Sequence, residues 1–264
     1  MKIGIIGYGV VGEACGKGYE HIGHDLIIHD LRLDTRVEDL LNTELLFICV
    51  PSPANEDNSC DITNVESCVR ELKNLDYKGV ICIKSTVEPG STLMLSKKYK
   101  LDLCFVPEFL RERSAFSDFV DNHDVLAVGS EIKTQQDLII LAHGNLPKTT
   151  KLLSTTEAEL LKYLSNSYNA LKIIFANNFY ELSTALDADY SKILATYLER
   201  DISKSDYLDV NEDLRGYGGQ CLPKDVKALI FLMKKLNLEL ELFKGIDSDN
   251  QKLKTTVFEG MRKG

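Results

Sequence analysis

What this chain has little of narrows its possible roles first. No apolar run approaches the roughly 20 residues that a membrane helix needs, so no membrane partner is expected. Met1 leads straight into a strand-like segment, without the charged start and apolar stretch of a signal peptide. No basic cluster stands out against a net charge of −9 and a pI of about 5.2, which argues against a nucleic-acid partner. The seven cysteines are Cys15, Cys49, Cys60, Cys68, Cys82, Cys104 and Cys221, an odd number with no Cys-x-x-Cys pair. Metal-ligand spacing is absent, and no metal is expected. Several of the cysteines sit in apolar strand-like runs and read as small core residues. The expected compartment is reducing and cytoplasmic. There is no internal repeat and no low-complexity segment. With 264 residues, 44% hydrophobic, 27% charged and only 6 prolines, the chain suits one or two globular domains with a proper core.

The first half reads as a nucleotide-binding sheet. The apolar run Lys2 to Ile6 leads into Gly7-Tyr8-Gly9-Val10-Val11-Gly12, and a helix is expected from about Val11 to Gly23. In a Gly-x-Gly-x-x-Gly turn the glycines serve a tight bend, close approach to a pyrophosphate, and close helix–strand packing. The helix N-terminus then carries the phosphates. A second strand, Asp25 to His29, ends in Asp30, eighteen residues after Gly12. That is near the spacing of the acid that holds the adenosine ribose hydroxyls. A carboxylate there repels a 2′-phosphate and favours NAD over NADP, although Arg32 and Arg36 follow closely and bear against that preference.

A polar helix-like segment is expected over Thr35–Leu41 and a helix over Thr63–Leu75, where Val65, Cys68, Val69 and Leu72 fall at helical spacing. Buried-type strands are expected at Leu45–Val50, Gly79–Lys84 and Leu101–Val106, with edge strands at Val125–Gly129 and Thr149–Leu153. Strands alternating with helices imply a mostly parallel, doubly wound sheet. Ligands in such sheets sit outside the carboxyl ends of strands. Ser52, Ser85, Thr86, Glu108 and Glu112 follow strand ends and are therefore expected in one cleft.

The second half reads as helical. Thr155 and Thr156, followed by Glu157 and Glu159, look like a capped helix start with early acids. The helix is expected to run to about Leu186, with Lys162 and Asn166 four apart on one face. On spacing alone these two are ordinary solvated groups. Shorter helices are expected at Ser191–Leu198, Val226–Leu236 and Glu239–Lys254, with an irregular stretch from Asp201 to Leu214. That stretch delivers the chain to Gly216-Tyr217-Gly218-Gly219-Gln220-Cys221-Leu222-Pro223-Lys224-Asp225. Paired glycines let a ligand approach the backbone. A nearby ammonium and a helix starting just past Cys221 both favour a thiolate. The expected fold is a Rossmann-like domain over 1–154, then a long central helix and a small helical domain over 155–264.

In order, Gly7 to Gly12, Val50-Pro51-Ser52-Pro53, Ser85-Thr86-Val87-Glu88-Pro89-Gly90, Pro107-Glu108-Phe109-Leu110-Arg111-Glu112, Glu157 to Asn166 and Gly216 to Asp225 resemble the UDP-glucose/GDP-mannose, or nucleotide-sugar 6-, dehydrogenase family. The resemblance runs to about residue 255. It implies NAD as cofactor, a nucleotide-sugar substrate, and a homodimer through the long central helix. It also implies a nucleophile at Cys221, oxyanion stabilisers at Lys162 and Asn166, and an assisting acid at Asp225. Thr86 matches the residue that helps hold the catalytic water. Glu108 matches the base for thioester hydrolysis, and Glu112 a supporting carboxylate. Val50, Pro51, Ser52, Ser85 and Thr86 are implied to join Gly7, Tyr8, Gly9, Val10, Val11, Gly12 and Asp30 at the cofactor. Phe109, Leu110, Arg111, Tyr217, Gly218 and Gly219 are implied at the substrate.

Several features depart from the family pattern. The family usually continues into a third, nucleotide-binding domain, so the resemblance implies a short form. Tyr207 to Val210 lacks the arginine expected before the cysteine turn, with only Arg215 nearby, and Asn122-His123-Asp124 replaces a Pro-Asp-Arg motif. The implied reaction is a four-electron oxidation of a primary alcohol to a carboxylate, as in UDP-glucose 6-dehydrogenase. Two alternatives remain: a two-electron 3-hydroxyacid dehydrogenase, and a non-catalytic NAD-binding protein.

Overall fold

Alternation along the strands sorts the first half of the chain into two apolar layers. The computed structural model describes residues 1–200, 210–211, 215–219, 221–237 and 241–253. Seven strands form one sheet: β1 (Lys2–Ile6), β2 (Asp25–His29), β3 (Leu45–Ile48), β4 (Val80–Ile83), β5 (Leu103–Phe105), β6 (Val125–Gly129) and β7 (Thr149–Leu153). Their order is β2-β1-β3-β4-β5-β6-β7. All neighbours are parallel except β5 and β6, which meet antiparallel at Phe105 and Gly129. β7 lies at an edge as expected. β6 does not, because β7 pairs along its whole outer side.

Successive strand residues point to opposite faces. Ile6, Leu46, Ile48, Ile81, Ile83, Leu103 and Phe105 fall in one buried cluster with Val65, Val69 and Leu72 of α2 (Thr63–Asn74) and Leu95 of α3 (Ser91–Tyr99). Ile3, Ile5, Leu45, Phe47, Cys82 and Cys104 face the other way. There they meet Cys15 and Tyr19 of α1 (Val10–His21), Phe119 of α4 (Ala115–Val120), and Ile139 and Ala142 of α5 (Lys133–His143). Burying one such large side chain stabilises by about 1.5–3 kcal/mol. The two-sided apolar pattern therefore fixes a sheet covered on both faces, a Rossmann-like fold. Helices α3, α4 and α5 add to those expected, and the Thr35–Leu41 segment is a 3₁₀ helix over Val37–Asn42.

The chain divides into two units. One comprises residues 1–53 and 60–162, and the other comprises 54–59 and the chain from Tyr163 on. A single long helix, α6 (Thr155–Ala185), runs through the division. Its cap is Ser154 rather than a threonine. The Ser154 N–H and hydroxyl both donate to the Glu157 carboxylate at 2.8 Å, and the Glu157 N–H donates to Ser154 Oγ at 3.3 Å. This is a reciprocal capping box. The second unit also holds α7 (Tyr190–Leu198), α8 (Leu222–Lys235) and α9 (Leu242–Lys252). Its core gathers Ala170, Ile174, Tyr217, Val226 and Ile246. Of the irregular stretch expected over 201–214, only Val210 and Asn211 are described.

Candidate active site

The cofactor turn lies where β1 leads into α1, between β2 and β3, where the strand order reverses. Gly7 has φ +89°, and a Cβ there would stand 2.7 Å from the Cys49 carbonyl. A Cβ on Gly12 would stand 2.0 Å from the Gly7 carbonyl oxygen. Protein packing thus requires both glycines. Gly9 differs: a Cβ there would meet nothing within 4 Å. The open space beside Gly9, at the N-cap of α1, fits the close approach of a pyrophosphate. Tyr8 N–H, in the same turn, donates to Asp30 Oδ2 at 2.7 Å. Asp30 also accepts from Arg32. That guanidinium, aided by the Tyr8 and Arg32 backbone N–H groups against burial, holds its carboxyl well below the ordinary range.

The loops after β3 and β4 are laced by two hydroxyls. Ser52 Oγ donates to the Thr86 carbonyl at 2.6 Å, and Ser85 Oγ donates to the Val50 carbonyl at 2.7 Å. Both serines therefore spend their protons on backbone and shape the loop that carries Thr86. Glu108 follows β5 and is buried. Lys162, on α6, donates to Glu108 Oε1 and to the Glu108 carbonyl, each at 2.7 Å. Burial pushes the Glu108 carboxyl up, but the Lys162 ammonium and the Leu110 N–H outweigh it and hold the group below its ordinary value. Helical spacing alone had made Lys162 a solvated lysine; it is 4% exposed.

The second unit brings together Asn166, Asp225 and Lys224. Asn166 Nδ2 donates to Asp225 Oδ2 at 2.5 Å, and Lys224 Nζ stands 3.0 Å from Asp225 Oδ1. Asp225 is 1% exposed. Cys221 occupies the N-cap of α8. Asp225 lies one turn further, its N–H donating to the Cys221 carbonyl at 2.9 Å. Cys221 is the exposed cysteine; the other six are buried or half-buried. Burial pushes the thiol of Cys15 up to about 12 and that of Cys68 up to about 11. The preceding turn uses Gly216 at φ +62° and Gly219 at φ +80°.

Other residues implied by motif lie elsewhere. Glu112 is exposed on a 3₁₀ turn, whereas Glu108 is buried. Phe109 and Leu110 are half-buried. The Arg111 guanidinium forms a fork with Asp118, at 3.0 and 2.7 Å. Ser114 Oγ donates to the same carboxylate at 2.9 Å. In this arrangement Arg111 closes its own loop. The Tyr217 ring is buried in the core, and its backbone is held by Asn250, whose side chain accepts from Tyr217 N–H at 2.8 Å and donates to its carbonyl at 3.0 Å. Arg215 is tied to Asn177 at 2.8 Å and to Glu181. Among the described residues no cluster of three or more His, Cys, Asp or Glu side chains could hold a metal ion.

Known proteins resemble this chain in sequence and fold. Residues 29–143 match the NAD binding domain of the UDP-glucose/GDP-mannose dehydrogenase family, and residues 156–252 match the central domain of the same family. The chain belongs to the UDP-glucose/GDP-mannose dehydrogenase family. The UDP-glucose 6-dehydrogenase of Rickettsia prowazekii is 28% identical over 295 residues, spanning 95% of this chain and 67% of that protein. The GDP-mannose 6-dehydrogenase of Pseudomonas savastanoi pv. phaseolicola is 25% identical, spanning 98% and 70%. A UDP-glucose dehydrogenase structure from the archaeon Pyrobaculum islandicum superposes with a TM-score of 0.87 at 25% identity, over 95% of this chain and 68% of that one. The chain thus spans about two thirds of the length of these relatives.

Within this family member, sequence reasoning missed what Glu159 does. Read as an early acid of its own helix, Glu159 instead caps α3. Its carboxylate accepts from Gly90 N–H at 2.6 Å and Thr92 N–H at 2.8 Å. The helix that presents Lys162 thereby pins the loop that presents Thr86. Asn250, Asn177 and Asp118 were also missed. Asn177 and Asn250 meet partners more than thirty residues away, and Asp118 meets Arg111 only because its loop folds back, so none leaves a periodic signal.

Proposed function

We propose that the chain carries out an NAD-dependent four-electron oxidation of the 6-hydroxyl of a nucleotide sugar, of the UDP-glucose type, to the uronic acid. The observation that carries this reading is Cys221: the one exposed cysteine, at a helix N-cap, with a buried carboxylate one turn behind it. A two-electron alcohol dehydrogenase needs no such thiol. The Gly7–Gly12 turn and Asp30 would hold the dinucleotide, together with Val50, Pro51, Ser52, Ser85 and Thr86. When bound, NAD+ accepts a hydride, once at each of two oxidation stages.

The chain's own residues manage the rest. The Cys221 sulfur, at the positive end of a helix dipole that favours thiolate, adds to the aldehyde carbon to form a thiohemiacetal. Loss of the second hydride converts that adduct to a thioester. Water adds to the thioester carbonyl, the C–S bond breaks, and the thiol is returned with a carboxylate. The sum is one primary alcohol, one water and two NAD+ giving one carboxylate, two NADH and three protons. Lys162 and Asn166 donate to the oxyanion; loss of one such donor typically costs about 10²–10³ in rate. Glu108 accepts the proton of the attacking water, with Thr86 and Asp225 positioning it and Glu112 in a supporting role. Phe109, Leu110, Arg111 and the Tyr217–Gly219 turn shape the substrate side.

We take 155, where α6 begins, as the domain boundary. The outer face of α6 exposes Leu164, Tyr168, Phe175, Phe179 and Leu182. These fall three, four or seven residues apart, an apolar stripe suited to a second copy of the chain. Cysteines without disulfides favour a cytoplasmic location.

The test is NADH formed per molecule of nucleotide sugar consumed, across a panel. Two per substrate, with Cys221→Ser making no carboxylate while still binding NADH, is the expected result. One NADH per substrate, or full acid production by Cys221→Ser, would overturn the reading.

A further inference from the structure

The ribose-binding carboxylate of the first unit is already saturated. A carboxylate offers about four acceptor positions. Asp30 Oδ2 accepts from Tyr8 N–H at 2.7 Å and Arg32 Nη2 at 3.0 Å, and Oδ1 accepts from Arg32 N–H at 2.9 Å and Arg32 Nε at 2.8 Å. For a ribose hydroxyl to reach Asp30, one donor must leave. The two backbone donors belong to turns fixed by the fold. Leu33 N–H donates to the Asp30 carbonyl at 2.9 Å, and Asp30 N–H donates to Thr35 Oγ1 at 3.3 Å. The guanidinium is the donor able to leave: the Arg32 side chain is 71% exposed against 10% for Asp30, and besides Asp30 it donates to the Tyr8 carbonyl at 2.9 Å, a bond that water can replace at an exposed site.

Once displaced, the guanidinium stays tethered two residues from Asp30, within reach of a group that the carboxylate would hold. A plain hydroxyl offers it one neutral acceptor. A 2′-phosphate offers a doubly charged, forked partner that matches its geometry. The same five-donor group can bridge Asp30 and the phosphate and offset their repulsion. Arg36 is not the candidate, because it lies six residues beyond Asp30, makes no contact with that carboxylate and faces Asp39 at 3.6 Å. We propose that Arg32 makes this ribose site accept the 2′-phosphorylated dinucleotide, so that the protein binds NADP(H) as well as NAD(H). This rests on the first unit being the dinucleotide-binding domain and goes beyond the NAD preference read from Asp30 alone.

The experiment is a fluorescence titration of the full chain with NADH and with NADPH. Wild-type protein should bind NADPH within about tenfold of NADH, the scale of one partly exposed charge pair. Arg32→Ala should widen that ratio about tenfold or more by weakening NADPH, with NADH unchanged or tighter. Arg32→Lys, which keeps the charge without the fork, should fall between. Wild-type NADPH binding more than about a hundredfold weaker than NADH, or an equal loss of both cofactors in Arg32→Ala, would overturn the inference and leave the NAD site standing. Binding of neither cofactor would overturn both.

Discussion

The Lys162 ammonium and the Glu108 carboxylate meet at 2.7 Å with 5% and 8% of their side chains exposed. Removing one partner of a buried ion pair leaves the other uncompensated and costs about 3–5 kcal/mol. Lys162→Met and Glu108→Gln should each lower stability by several kcal/mol in urea titrations. The double variant should be less destabilised than the sum of the two.

The same pair sets a sign for pH. Glu108 is held below its ordinary value, so its contribution to stability is present at neutral pH and is lost as pH falls through the lowered value. In Lys162→Met the largest lowering influence is gone, and burial then works against only the Leu110 N–H and the more distant Lys84 charge, so the carboxyl moves up. That group then costs stability at neutral pH, and the cost is relieved as pH falls and the carboxyl takes up its proton. The stability difference between wild type and Lys162→Met should therefore shrink on acidification, measured by denaturation at a series of pH values. A difference that is constant or grows would show that the two groups do not titrate against each other.

Gly9 and Gly12 should respond to alanine in opposite ways. Gly12→Ala places a Cβ 2.0 Å from a backbone oxygen and should fold poorly or melt far lower. Gly9→Ala meets nothing within 4 Å and should keep its melting temperature within a few degrees. It should nonetheless weaken NADH binding at least about tenfold, because the Cβ occupies the space for the pyrophosphate. Unchanged NADH affinity in Gly9→Ala would remove the phosphate role from that position.

Thiol chemistry should single out Cys221. Native protein treated with iodoacetamide near about pH 7.5 should take up one label quickly, with peptide mass spectrometry placing it at Cys221. Cys15, Cys49, Cys68 and Cys82, with thiols raised by burial, should react only on unfolding. Fast labelling at any of those four would contradict their place in the core.

Asn166→Ala should destabilise by about 1–3 kcal/mol, the cost of leaving a buried acceptor short of a donor, since Asp225 Oδ2 loses its 2.5 Å bond. Asn166→Asp should cost more, because two carboxylates would then face each other. Thermal melts of the two variants rank them directly.

The sequence by itself determined the sheet and the turn. Short continuous apolar runs and a glycine turn are local signals, and Lys2–Ile6, Gly7–Gly12 and Asp25–Asp30 carry them within thirty residues of chain, with Gly7 at φ +89°. It also determined that a helix starts just behind Cys221, since Pro223 and the apolar run after it are adjacent. Only the tertiary structure decided which polar groups are buried. Lys162 looks solvated until Glu108 arrives from 54 residues away. Glu159 looks like part of its own helix start until the N-terminus of α3 reaches it from 67 residues away. Arg111 and Tyr217 look available for substrate until Asp118 and Asn250 take them up. Backbone propensity is written in neighbouring residues, whereas the desolvation of a charge depends on what the fold brings against it, and those partners are scattered along the chain.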